Sequence, residues 1–178
     1  MPRDAIVVVT ADDQCFGGRY LQLARGERPD VALVCSGLVL TRWYRAALAS
    51  HGIAIPPATG ASLGEALLRT GRPVFVDPGL TRVLAGYPSY PFGVVMRMLP
   101  PGRAVPRASE VAAINHDLYA AFDVDYPRPG RDDDYAALAH HRYAACWAAI
   151  AQLLDAAGDR SAARDAFDVT RALQPADD

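Results

Sequence analysis

The chain has 178 residues, 51% apolar and 21% charged, which excludes wholesale disorder and allows a sizeable buried core in one or two structural units. Its net charge of −2 excludes a polybasic nucleic-acid binder, and no apolar run reaches the ~18 residues needed to span a bilayer as a helix. All 18 basic residues are Arg, so a Schiff-base lysine, a phosphate-loop lysine and a lysine general base are excluded together.

Ala5-Ile6-Val7-Val8-Val9-Thr10 is a continuous, largely β-branched run and predicts a strand buried on both faces. Gln14 to Ala24 predicts a helix that Asp12 or Asp13 would cap, and Val31 to Cys35 predicts a second buried strand. Thr41 stands where it can cap a helix through Trp43, Tyr44, Ala47 and Leu48, with Gly52 just past its end. After Pro56-Pro57, Ser62-Leu63-Gly64-Glu65 has capping-box spacing and predicts a short helix to Thr70. Val74 to Asp77 predicts a third strand, stopped by Pro78-Gly79, and Phe92 to Leu99 a fourth, parallel or antiparallel to the others. Tyr87, Tyr90, Phe92 and their prolines predict an aromatic loop wrapping a sheet edge. Strands separated by helices give an α/β fold class: a small, mainly parallel sheet of about four strands flanked by helices, over residues 1–99.

Residues 100–107, rich in Pro and Gly, read as a linker, and residues 108–178 as wholly helical. Ser109 is expected to cap a helix to Phe122, with Val111, Ile114, Leu118 and Phe122 in one stripe. A loop from Asp123 to Arg131 follows, then a long helix from Asp132 to Ala157 whose first turn holds Asp132, Asp133 and Asp134 against the helix dipole. Gly158 breaks it, and a last helix runs from Ser161 to Leu173 before Pro175. Residues 1–107 carry 12 Arg against 7 acids (+5), and residues 108–178 carry 6 against 13 (−7), an asymmetry expected of two structural units.

Within the helical region, Trp147, Ile150, Ala151, Leu154, Gly158, Ala163, Phe167, Leu173 and Pro175 fall at the spacing of a tetratricopeptide unit. Small Ala151 and Ala163 would let two antiparallel helices approach, Gly158 would make the turn, and Trp147 and Phe167 would fill the space between. The expected hairpin covers residues 132–175. A single repeat cannot bury its own outer face, so this hairpin either packs on other structure or offers a peptide-binding surface.

The turn Thr10-Ala11-Asp12-Asp13-Gln14 directly follows the first strand, where open α/β sheets gather ligands. Asp12, Asp13 and Asp77 are therefore the candidate ligand-binding residues: paired carboxylates there could hold a divalent ion or serve as acid and base, or else cap the helix and bond loop amides. Only Asp12 and Asp13 stand as metal candidates, and no cofactor is expected. Gly17-Gly18 lacks the spacing of a dinucleotide fingerprint, and Ser36-Gly37 lacks the nucleophile-elbow pattern. His140 and His141 diverge by ~100° on a helix and cannot readily share a metal, while His116, Asp117 and Glu110 read as a solvated face. Cys15, Cys35 and Cys146, odd in number and widely spaced, predict reduced, buried thiols rather than a zinc site or a disulfide framework.

Several segments share a likeness: Asp4-Ala5-Ile6, Thr10-Ala11-Asp12-Asp13-Gln14-Cys15-Phe16, Tyr20-Leu21-Gln22, Gly26-Glu27-Arg28-Pro29-Asp30-Val31 and Trp43-Tyr44. Together they resemble the start of the soluble C-terminal region of polytopic membrane proteins related to protein O-mannosyltransferases. Ala11, Asp13 and Gln14 stand where that family usually has Gly, Asn and Asp. The resemblance implies a region that follows membrane spans, is often followed by helical repeats, and lies apart from the membrane-embedded sugar-transfer chemistry. The expected function is a non-catalytic accessory or binding domain at the extracytoplasmic, periplasmic face. Its partners would be the membrane-embedded portion of the same or a partner protein, and a glycan or peptide, with no nucleic acid and no membrane span of its own. The alternatives are a stand-alone cytoplasmic α/β enzyme using the carboxylates around a divalent ion, and a tetratricopeptide-like protein-interaction module.

Overall fold

Ile6–Val9 (β1), buried throughout, is the centre of a parallel trio. It pairs with Ala32–Cys35 (β2) on one side and Val74–Val76 (β3) on the other, with Val7 opposite both Leu33 and Phe75. The computed structural model describes residues 1–122, 126–131 and 134–176. Part of the Asp123–Arg131 loop and the Asp132–Asp134 side-chain cluster expected from the sequence lie outside the described residues. The chain divides into two compact units, Met1–Ser89 with Met96–Val105, and Tyr90–Val95 with Pro106–Asp178.

The sheet corrects the expected one: it has five strands and is mixed, in the order β2-β1-β3-β5-β4. Val95–Met98 (β5) runs antiparallel to β3, with Phe75 opposite Arg97. The predicted fourth strand, Phe92 to Leu99, is split because Gly93 takes a left-handed conformation (φ 62°) and folds the chain back. Ser89–Phe92 (β4), expected as a loop, is thereby a strand, and its Pro91 is tolerable because β4 lies at the sheet edge.

Four helices belong to the first unit: Asp12–Arg25 (α1), Arg42–Ser50 (α2), Gly60–Leu68 (α3) and the short Thr81–Leu84 (α4), which the sequence did not announce. At the end of α2, Gly52 (φ 75°) sits past the cap, with Gly52 N–H donating to Ala49 and Ile53 N–H to Leu48, the double bond of a Schellman turn. Two N-terminal expectations are corrected. Asp12 and Asp13 are the first two residues of α1, not its cap, which is Ala11. Ser62 lies inside α3, where its hydroxyl donates to Thr59 O, and Glu65 pairs with Arg69, so no capping box forms there. The exposed edge of β2 is bonded by side chains instead of a further strand. Tyr44 Oη accepts from Cys35 N–H and donates to Leu33 O. Arg19 and Gln22 of α1 donate to Leu33 O and Val31 O.

The second unit is built on Ala108–Tyr119 (α5), Asp134–Ala156 (α6) and Arg160–Leu173 (α7), with α6 and α7 as an antiparallel hairpin. Its core gathers Val111, Trp147, Ile150, Ala151, Leu154, Ala163 and Ala166. α5 starts at Ala108, so Ser109 is no cap, and Glu110 reaches back to the Arg107 amide at 2.9 Å. Of the expected α5 stripe only Val111 is fully buried; its inner partner is Asn115. That side chain bonds Gly93 N–H, Pro91 O and Val111 O, which satisfies a polar group with no solvent exposure. At the hairpin turn Gly158 has φ 85°, Gly158 N–H donates to Asp155 and Asp159 N–H to Leu154. Asp159 then caps α7 through Ala162 N–H. Phe167, expected between the helices, is 44% exposed; Ala163, Ala166 and Thr170 form the buried face of α7. Among the described residues no helix is long and apolar enough to cross a membrane.

Candidate functional site

The chain leaves β1 toward β2 on one side and returns to β3 on the other, so the carboxyl ends of β1 and β3 form a topological switch point. The turn at residues 10–14 and the segment following Val76 meet there. Gln14 joins them: its Nε2 donates to Asp77 Oδ2 at 2.7 Å, and its Oε1 accepts from Thr10 N–H at 3.3 Å and Ala11 N–H at 3.2 Å. The other Asp77 oxygen accepts from Gly79 N–H at 2.7 Å. Asp77 is 6% exposed, so both oxygens of this buried carboxylate have donors. Asp12 and Asp13 instead lie exposed in the first turn of α1, near the positive end of its dipole. Among the described residues no group of three or more His, Cys, Asp or Glu side chains has the geometry to hold a metal ion.

Beside this edge lies a cavity of about 330 Å³ that sequence reasoning missed. Ser36 and Gly37 after β2, Thr59, Gly60 and Leu63 at the start of α3, and Gly79 through Val83 after β3 line it. No side chain caps the first turn of α3. Ser36, Thr59, Thr81 and Arg82 are the polar residues of the lining, alongside glycines and the apolar Ala58, Leu63, Leu80 and Val83. The lining contains no His, Cys, Asp or Glu, so it holds no residue pair arranged as nucleophile and base. The one available signal was Ser36-Gly37 after a strand, which the absence of an elbow motif led away from.

Cys15 and Cys35 are joined in a disulfide, which corrects the expectation of reduced thiols. The β1–α1–β2 crossover brings a residue of the first turn of α1 beside the last residue of β2, with Cα atoms 5.6 Å apart. Their separation of 20 residues carries no signature of this. Cys146 is free and buried, and burial pushes its thiol up to about 11.

Several quoted segments of the resemblance are structural. Arg28 grips Asp30 with two nitrogens, at 2.8 and 2.7 Å, and donates to the carbonyls of Met1 and Pro2. Asp30 also accepts from Asp4 N–H, and the Arg28 hydrogen bonds hold its carboxyl far below the usual carboxylate range. This lattice fixes the start of β1 against the start of β2. In the second unit, His140 is buried, with Nδ1 2.8 Å from Leu173 O and Nε2 3.0 Å from the Tyr126 hydroxyl, so it ties α6 to the end of α7. No family model, curated protein or solved structure matches the chain.

Proposed function

We propose that this chain is a non-catalytic binding domain of a membrane glycosyltransferase-like protein, working at the extracytoplasmic face and holding a glycan or peptide group in the cavity lined by Ser36, Thr59, Thr81 and Arg82. The observation that carries the non-catalytic part is the bonding of Asp77. Its two oxygens accept from Gln14 and Gly79, and among the described residues no group of three or more His, Cys, Asp or Glu could hold a metal ion. The Cys15–Cys35 disulfide supports an oxidising compartment, where such bonds persist. The membrane setting rests on the resemblance of residues 4–44.

Amide chemical-shift mapping with a panel of glycans and short peptides tests the binding part. The expected result is a saturable shift confined to Gly37, Gly60, Gly79 and their neighbours, weakened by Arg82→Ala. Immunoblotting of source-cell fractions tests the setting: a larger membrane-bound band supports it, and a soluble band of this chain's own size overturns it.

A further inference from the structure

Helix α1 is attached to its sheet almost without apolar burial. Of its 14 residues only Cys15 is buried, whereas α2 buries Tyr44 and Leu48 and α3 buries Leu63, Ala66 and Leu67. Phe16, Tyr20, Leu21 and Leu23 are all exposed. Gly18 faces Leu33 and brings no side chain to pack on it. The remaining attachments are hydrogen bonds: Gln14 to Asp77, Arg19 to Leu33 O, and Gln22 to Arg28 O and Val31 O. Water offers these groups equivalent partners, so each bond adds only a modest net amount. Nor does α1 hold its form alone, because 14 residues with glycines at 17 and 18 fall short of an independent helix. The covalent tie from Cys15 to Cys35 is what fixes it to the sheet.

The same bond adjoins two segments of the cavity lining. Cys35 is followed directly by Ser36 and Gly37, which line the cavity. Cys15 is preceded directly by Gln14, whose amide donates to Asp77, and Asp77 accepts from the N–H of Gly79, another lining residue. Strand β2 itself does not depend on α1: it pairs with β1 along its length, and Tyr44 of α2 bonds its outer edge at Leu33 and Cys35. We propose that Cys15–Cys35 is a redox switch, and that α1 docks and orders these lining segments only once the bond has closed. The two thiols give up two protons and two electrons as the sulfur–sulfur bond forms. A disulfide oxidant accepts both, its own bond breaking to yield two thiols, and a dithiol reductant reverses the step. The consequence for ligand binding rests on the cavity reading above; the redox dependence of α1 does not.

Amide hydrogen exchange on the full chain tests this, comparing oxidised protein with protein refolded in dithiothreitol and checked for three free thiols. The reduced protein is expected to exchange at least ~tenfold faster through residues 16–25 and at Ala11 and Gly79, while Ala32 of β2 and the α6–α7 hairpin keep their rates. Oxidised glutathione should restore slow exchange. Cys15→Ser/Cys35→Ser should match the reduced protein with or without dithiothreitol, which separates the effect of the bond from that of the reagent. Unchanged exchange through α1 after full reduction overturns the proposal. So does loss of protection at Ala32 together with α1, or failure of the reduced chain to fold, because the bond would then hold the whole sheet. A negative titration with the glycan and peptide panel would strike the binding reading and leave the switch standing.

Discussion

Gln14 and Asp77, 63 residues apart, form a 2.7 Å hydrogen bond that closes the gap between the turn after β1 and the segment after β3. The amide is suited to the task because it donates to the carboxylate while its oxygen accepts the Thr10 and Ala11 N–H groups. A carboxylate at position 14 would keep the acceptor half and lose the donor half. Gln14→Glu should therefore lower unfolding free energy by ~1–3 kcal/mol, since buried Asp77 would lose a donor and gain a like charge. Urea denaturation measures it; an unchanged midpoint would show that the bridge carries no stability.

Asp12 and Asp13 separate the binding reading from the enzyme reading. As first-turn residues of α1 they act on the helix dipole, so Asp12→Ala or Asp13→Ala should cost ~0.3–1 kcal/mol. Mg²⁺, Mn²⁺ or Ca²⁺ should leave the melting temperature unchanged in wild type and variants alike. A saturable rise in wild type that disappears in Asp12→Ala would instead promote the carboxylate enzyme.

The Cys15–Cys35 bond closes a loop of about 20 residues, for which loop entropy predicts ~3 kcal/mol of stabilisation. A thiol assay on the denatured, unreduced chain should find Cys146 alone, and all three cysteines after reduction. Reductant should lower the melting temperature of wild type but not of a Cys15→Ser/Cys35→Ser variant.

Burial of Cys146 sets a pH dependence. Its thiol is pushed up to about 11 in the fold, while in the unfolded chain it ionises near its ordinary ~8.5. Below that value both states are protonated and nothing changes. As pH rises toward 11 the unfolded state sheds the proton first, so stability falls through this window. Tyr119 and Tyr143, also raised by burial, add to the fall above ~10. Stability measured against pH should show the earlier part of the fall removed in Cys146→Ala.

What was legible in the sequence was whatever local chemistry decides. The β-branched run at residues 5–10 could only be a buried strand, and Gly52 and Gly158 marked helix ends because only glycine enters the left-handed region cheaply. What escaped depended on distant pairing. The Cys15–Cys35 bond and the Gln14–Asp77 bridge exist because a crossover and a shared sheet bring remote residues together. The extra strand escaped because Gly93, read as part of a strand, is the turn of a hairpin. Phe167 matched a helical-hairpin pattern by position, yet its face of α7 is not the one that Ala163, Ala166 and Thr170 bury. The cavity has no motif, because its hydroxyls and Arg82 come from segments following two strands and from the start of α3.

Gly158 permits the cleanest test of backbone against packing. Its φ of 85° is one that L residues rarely adopt, yet an added Cβ would meet nothing within 4 Å. Any cost of substitution there is conformational rather than steric crowding by neighbours. Gly158→Val should lower stability by more than ~1 kcal/mol, because a β-branched residue tolerates positive φ poorly. Gly158→Asn should lose less, because Asn visits the left-handed region several times more readily than most residues. The Schellman bonds from Gly158 N–H to Asp155 and from Asp159 N–H to Leu154 depend on that geometry, so Val should also raise amide exchange at Gly158 and Asp159. Thermal melts and hydrogen exchange on the two variants check the order. Equal losses for Val and Asn would mean that the turn tolerates a right-handed conformation and that the left-handed glycine is not what joins α6 to α7.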